Sequence, residues 1–393
     1  MEYLEQKRRD KMLKLQKFIE QNTNWEEILQ QEPYRLTIKK EKALEGEYVL
    51  FQYHQFYSDF SLPIVQEARG IIFRMTNNDI IPVCVPFYKF FNLGEPNAAK
   101  LEGEIKFLEK RDGSLIKLWY DLGEWHWSTN GGINAENAKV TGIMNANNDE
   151  KLNFLYLIYK TKQFPYIQEM MNKNLLNTNL TYMFELTSDK VKIVVPYKGT
   201  CLTFLSARDN ITLKEQDYNF GEYENNIPRP MIFKINDFSA AVNTVNGFSF
   251  KKEGLVAVDD NYNRVKIKSP AYLSVSYLRL NGEVTKNRII ELIRTGEKKE
   301  FLNYYPEYTE VFNQVEQEIN VYKNMIHDVI VDLCINNITD GRQAYEKYKN
   351  KTSEERKIAS AWLHQEFFTE WLYNFTSEQI LEKIEKYTKE INK

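Results

Sequence analysis

Between Arg35 and Lys117 the chain runs in short segments in which apolar and polar residues alternate. They are "YRLTIKK", "EYVLFQYHQF", "RGIIFRM", "IIPVCVPFYKFF", "IKFLEK" and "SLIKLWY". A period of two is that of a strand with one face against a core. The pattern resumes in "EWHWSTNGG", "TYMFELT", "KVKIVVPY", "CLTFLSA", "GLVAVDD" and "NRVKIKS", with helical stretches around 149–173 and 236–246. Strands and helices interspersed without a βαβ rhythm predict an α+β domain built on antiparallel sheets. Ahead of the strands, residues 3–31 read as helix, with Thr23 and Glu26 as a capping box before a second short turn.

After Asn281-Gly282 the strands stop and the period changes. "TKNRIIELIRTG" reads as a helix ending at Gly296. Residues 306–333 set Tyr308, Phe312, Val315, Ile319, Tyr322, Ile326, Val329 and Leu333 at steps of three and four, one face of a long helix. Thr352 with Glu355 and Thr376 with Gln379 read as further capping boxes. The expected division is a mixed domain over 1–281 and an all-α domain over 282–393.

Composition narrows the class. Of 393 residues, 42% are hydrophobic and 14% aromatic, ample for two cores. No run of eighteen apolar residues occurs, and "MEYLEQKRRDKMLKLQKFIEQ" lacks the apolar centre of a signal peptide, so a cytoplasmic protein without membrane contact is expected. No obligate protein partner is evident. Cys84, Cys201 and Cys334 lie far apart in apolar surroundings and read as reduced core thiols. His54, His126, His327 and His364 show no metal spacing, His327 reading as a packed or solvated helix residue, and no G-K-[ST] phosphate loop is present. Lys and Arg number 52 against 55 Asp and Glu, so any hold on a polyanion must come from local clustering.

The stretch "FLEKRDGSLIKLWY", residues 107–120, raises a chemical question. Its K-x-D-G-S places Lys110 beside turn-forming residues between two alternating runs, which is also how the arms of a β-hairpin look. K-x-D-G arises by chance about one time in ten in a chain of this length. Four other regions combine charge with strand context: "EARGIIF" with Arg69 and "FYKFFNLGE" with Lys89 and Phe91 upstream; "YMFELTS" with Glu185, and "KKEGLVAV" with Glu253 followed by "RVKIKSPAY" with Lys266, Lys268 and Tyr272, downstream. Each has a structural reading; alternating lysines, for instance, protect an edge strand from pairing.

The order K-x-D-G, strand glutamate, E-G-apolar-V and K-I-K is the signature of the covalent nucleotidyltransferases, the ligases and capping enzymes. More narrowly, "YSDF", "ARGIIF", "KFFNLGE", "KRDGSL", "FELTSDKVKIVVPY", "EGLVAV" and "KIKSPAYLSV" resemble the phage-type tRNA-repair RNA ligase family, RNA ligase 1, over about residues 45–280. The resemblance implies an antiparallel-sheet nucleotidyltransferase (adenylyltransferase) domain followed by a helical one that reads RNA. It makes Lys110 the amine that forms a lysyl-AMP bond, with Arg69, Lys89, Lys266 and Lys268 as phosphate ligands and Glu185 and Glu253 serving metal and ribose. Phe91, Tyr272 and Tyr53 match aromatic site positions, and Gly113 and Gly254 let backbone approach the nucleotide. Where the family has a lysine about twenty residues after the nucleophile, this chain has Asn130, so that phosphate contact is lost or moved to Lys139.

These residue types suit the chemistry. A lysine attacks a phosphate only as the neutral amine, which neighbouring cations or burial favour. The same cations neutralise charge at the transferring phosphorus. Mg²⁺ or Mn²⁺ takes hard oxygen ligands, for which Glu253 and Glu185 are the candidates. The expected function is an ATP-dependent RNA ligase acting on broken tRNA. The alternatives are an RNA-end-binding protein with an inactive core, or a DNA ligase or capping enzyme. The last two usually carry a β-rich OB module where helices stand here.

Overall fold

The computed structural model describes residues 12–55, 57–138, 152–190, 194–195, 197–278, 285–294, 298–304, 306–363 and 377–392. The chain divides into two compact units between Ser276 and Tyr277.

Three sheets organise the first unit. β1 (Leu36–Lys42), β2 (Glu47–Tyr53), β3 (Arg69–Met75) and β4 (Ile80–Cys84) pair antiparallel in chain order. They are followed by β5 (Phe91–Asn92), β6 (Lys106–Lys110), β7 (Ser114–Asp121), β8 (Glu124–Thr129), β9 (Leu180–Thr187), β10 (Cys201–Asp209), β11 (Glu215–Gln216), β12 (Ile232–Phe233), β13 (Gly254–Val258) and β14 (Arg264–Lys268). The second sheet runs β12-β6-β13-β14-β5 and the third β11-β10-β9-β7-β8. All pairs are antiparallel except the short parallel contact of β14 with β5.

Two local readings change in this topology. β6 and β7 belong to different sheets, so K-x-D-G is a crossover between sheets and not a hairpin turn. β14 lies between β13 and β5, so Lys266 and Lys268 do not guard an edge; that role falls to β1, whose Lys39, Lys40 and Lys42 face solvent.

Each sheet has its own apolar face. Val49, Phe51, Ile71 and Phe73 pack with Leu15, Ile19 and Leu29 of the helices Lys14–Gln21 and Trp25–Gln30. Glu67 caps the first of these from a distance, accepting from the Lys14 and Leu15 amides at 3.0 and 2.9 Å. Ile116, Leu118, Phe184 and Phe204 pack on Leu157, Ile158, Ile167 and Met170 of the helices Phe154–Tyr159 and Phe164–Asn172. Phe107, Leu255 and Ile267 cover Ala241 and Val245 of the helix Phe238–Asn246. Leu50, Ile72, Cys84 and Trp119 close the first sheet on the third.

In the second unit, the 27-residue helix Thr309–Ile335 buries Phe312, Val315, Ile319, Tyr322, Ile326, Val329 and Leu333, the face that the sequence period marks. The Thr352–Glu355 box forms: the Thr352 amide donates to Glu355 at 2.8 Å and the Glu355 amide to Thr352 Oγ1 at 3.2 Å.

Other expectations are corrected. The first helix is two helices, and the second starts at Trp25 with no side-chain cap, so the Thr23 box is not made. The described part of "KVKIVVPY" is loop, because the amides of Val194 and Val195 are used by a side chain instead of a sheet. All three cysteines are free, but only Cys84 is buried; Cys201 is half-buried and Cys334 exposed. His327 is solvated. Residues 3–11, Lys139, Asn281-Gly282, Gly296, His364 and Thr376 lie outside the described residues. Among the described residues, no helix is long and apolar enough to cross a membrane.

Candidate active site

The register of the second sheet lays the central groups in a row. Gly254 opposes Lys110 of β6 on one side and Lys268 of β14 on the other, and Glu253 directly precedes it. The Lys110 Nζ stands 2.8 Å from Glu253 Oε1, and the Lys268 Nζ 4.0 Å from the same oxygen. Glu253 is buried, so one carboxylate faces two ammonium groups out of bulk water. Lys266 is two residues back from Lys268 and shares its face of the strand. Burial, and then the charges of Lys89, Lys268, Arg69 and Lys110, hold its ammonium well below the usual lysine range.

The other sheets add the remaining groups. Arg69 opens β3; its guanidinium donates to the Tyr88 carbonyl at 3.3 Å and lies over the rings of Phe87 and Phe90 at 4.7 and 4.9 Å. Its Nε is buried with no hydrogen-bond partner. Lys89 sits over the rings of Tyr53 and Phe60 at 4.8 and 4.6 Å, and burial lowers its pKa. Among the described residues, Arg69, Lys89 and Lys266 form no ion pair with a carboxylate. Glu185, on β9, has its carboxyl pushed up to about 7, first by burial, with Lys110 and Arg69 opposing the shift and Glu253 and Asp112 adding to it.

The crossover after Lys110 is braced from outside. Asp112, 4% exposed, accepts from the Val194 and Val195 amides at 2.8 Å each and from the Tyr272 hydroxyl at 2.9 Å. Its own amide donates to the Tyr197 hydroxyl at 3.0 Å. Tyr272, which matches an aromatic site position of the family, thus also braces the turn that follows Lys110. The two glycines also serve the protein's own backbone. A Cβ on Gly113 would stand 2.4 Å from the Leu186 carbonyl oxygen, and one on Gly254, at φ +153°, 2.0 Å from that of Ile267. Phe91 is buried and packs edge-on against Phe60, a core position.

Sequence reasoning brought Lys110, Arg69, Lys89, Glu185, Glu253, Lys266 and Lys268 into one region, since their charges act on one another. It passed over Asp112 as a turn residue and Lys117 altogether. The signal for Lys117 was present: a lone charge inside the otherwise apolar "LIKLW", where every neighbour is buried.

A model of the RNA ligase family matches residues 67–272, slightly more than half of the chain. Similar relatives include a protein named as a bifunctional polynucleotide kinase/RNA ligase from Autographa californica nuclear polyhedrosis virus. It is 29% identical over 333 residues, which are 80% of this chain and 45% of that one. An RNA ligase of Rhodothermus phage RM378 is 24% identical over 355 residues, 72% of this chain and 78% of the relative. The chain thus spans less than half the length of the first relative and about three quarters of the second. Among solved structures, an archaeal ATP-dependent RNA ligase covers 82% of this chain and 83% of its own, at 11% identity and a TM-score of 0.46. With the family match running unbroken from Glu67 to Tyr272, across Arg69, Lys110, Glu185, Glu253, Lys266 and Lys268, the chain belongs to the phage-type RNA ligase family of the nucleotidyltransferase superfamily.

Proposed function

We propose that this protein is an ATP-dependent RNA ligase that works through a lysyl-AMP intermediate. The observation that carries the reading is the group of Arg69, Lys89 and Lys266: largely buried cations, with no carboxylate paired to them among the described residues, beside the Lys110–Glu253 pair. Like charges gathered out of water repel and are costly unless a polyanion completes them. The triphosphate of ATP is such a polyanion.

In the first step the neutral Lys110 amine attacks the α-phosphorus; the N–P bond forms, the bond to pyrophosphate breaks, and the amine proton is lost. Arg69, Lys89, Lys266 and Lys268 hold phosphate oxygens and offset the charge that gathers there. AMP then passes to the 5′-phosphate of an RNA, which frees Lys110. Attack of a 3′-hydroxyl on that phosphate forms the phosphodiester and expels AMP. Glu253 and Glu185 offer two hard oxygen donors, and no group of three or more acidic, His or Cys side chains is placed to hold a metal among the described residues. Mg²⁺ fits such a pair, since it leaves most of its shell to water and phosphate oxygens. Mg²⁺ or Mn²⁺ held there would neutralise charge at the phosphoryl centre.

The substrate is RNA with 5′-phosphate and 3′-hydroxyl ends, and the broken anticodon loop of a tRNA is its proposed source. Incubating the protein with end-labelled RNA, ATP and Mg²⁺ should give sealed product that is lost in Lys110→Ala. Sealing in that variant would overturn the assignment, and binding of RNA ends without sealing by the wild type would favour an end-binding protein.

A further inference from the structure

Lys117 lies in the middle of β7 between Ile116 and Leu118 and is 0% exposed. Among the described residues it has no carboxylate in ion-pair range; its Nζ donates to the Gly70 carbonyl oxygen, and the charged or titratable groups that act on it are the Cys84 thiol and Arg69. Burial pushes its pKa down to about 8. An ammonium buried without a counter-ion costs several kcal/mol, and an apolar side chain of the same length would pack there more cheaply. Stability gives no reason for a lysine at this position.

Its contacts supply one. Gly70 follows Arg69 and holds a left-handed φ of +76°; a Cβ there would meet the Asn130 carbonyl oxygen at 2.5 Å and the Lys117 Nζ at 2.7 Å. Gly70, the residue after Arg69, is therefore gripped between β7 and the end of β8. The guanidinium has the Tyr88 carbonyl as hydrogen-bond acceptor, its Nε is unpartnered and the rings of Phe87 and Phe90 only flank it, so its direction depends in part on its backbone. The backbone of Asn130, which stands where the resemblance implies a lysine, lies against Gly70, and Lys117 brings a positive charge to the same residue from the neighbouring strand.

We propose that Lys117 is a positioning residue for the first chemical step: by holding the Gly70 carbonyl it sets the angle at which the Arg69 guanidinium meets the phosphates of ATP. This rests on the ATP-dependent reading above. The effect should fall on ATP binding, because Arg69 touches phosphates in the ground state as well as in the transition state.

The test is Lys117→Met in the full chain, scored by melting temperature and by single-turnover AMP transfer across an ATP titration. The expected result is a melting temperature equal to or above the wild type, a limiting rate within about threefold, and a half-saturating ATP concentration raised about tenfold or more. Combining it with Arg69→Ala should add nothing to the effect of Arg69→Ala alone, since the two act through one contact. An unchanged ATP requirement, additive effects in the double variant, or a fall of more than about 10 °C in melting temperature would each overturn the inference, the last by making Lys117 a structural element. Absence of any AMP adduct in the wild type would instead sink the ligase reading, and the inference with it.

Discussion

At single residues, the site trades stability for chemistry. Lys266 sits among Lys89, Lys268, Arg69 and Lys110 with its charge opposed by burial and by all four. Lys266→Met should therefore raise the melting temperature by several degrees while slowing AMP transfer about a hundredfold or more. Differential scanning calorimetry and single-turnover labelling read the two arms; a destabilised variant with a normal rate would make Lys266 a packing residue. Glu185 gives the corresponding acid case. Its folded value of about 7 stands above its ordinary 4.5, so folding takes up a proton between those limits. The carboxyl costs the fold little below about pH 4.5, more as the pH rises, and its full penalty above 7. Glu185→Gln should raise the melting temperature of the ligand-free protein at pH 8 and change it much less at pH 5. An equal shift at both values would show that the carboxylate is not destabilised by its surroundings.

At the scale of elements, the crossover from β6 to β7 decides where the Lys110 amine stands. Asp112 ties it to Val194, Val195 and Tyr272, and hydrogen bonds to a charged acceptor contribute roughly 1.5–3 kcal/mol each. Asp112→Ala should lower both melting temperature and AMP-transfer rate, the latter about a hundredfold; Tyr272→Phe, which removes one donor of three, should cost about tenfold with little loss of stability. Comparing the two variants by thermal melts and single-turnover rates checks the account, and a normal rate in Asp112→Ala contradicts it. The strands themselves were legible, because a residue's alternation is a local property: "RGIIFRM" is β3 from end to end, and "SLIKLWY" lacks only the last residue of β7. Their partners were not. Arg111 to Ser114 are turn-forming types in a hairpin or in a crossover, and what separates the two is a carboxylate whose amide partners lie more than eighty positions away. "KIK" likewise carries no local mark of the short strand β5 that covers it. The motif order gathered the charged site residues without any of this, since a shared chemistry constrains residue types more tightly than it constrains the turns between them. Lys117 shows in the sequence only as a lone charge in an apolar run; its partner is a main-chain carbonyl, which leaves no trace in side-chain types.

For the whole molecule, all the candidate site residues named above lie before Ser276, in the first unit. Acidic residues outnumber basic ones from Tyr277 onward, so net charge does not draw that unit to RNA. If it selects tRNA, as we propose, it must do so through shape and a few local contacts. Removing the residues after Glu283 should then spare AMP transfer to Lys110 and the sealing of unstructured RNA, and lower the preference for a nicked tRNA. Sealing rates on nicked tRNA and on an unstructured RNA of equal length measure this; an unchanged ratio, or loss of AMP transfer, would make the unit a structural cover. The central claim is that Lys110 carries AMP, and the most direct measurement is the intact mass of the purified protein after incubation with ATP and Mg²⁺. The account predicts one AMP per chain, mapped to Lys110 and absent from Lys110→Ala; an unmodified wild-type protein, or an adduct that persists in that variant, would contradict it.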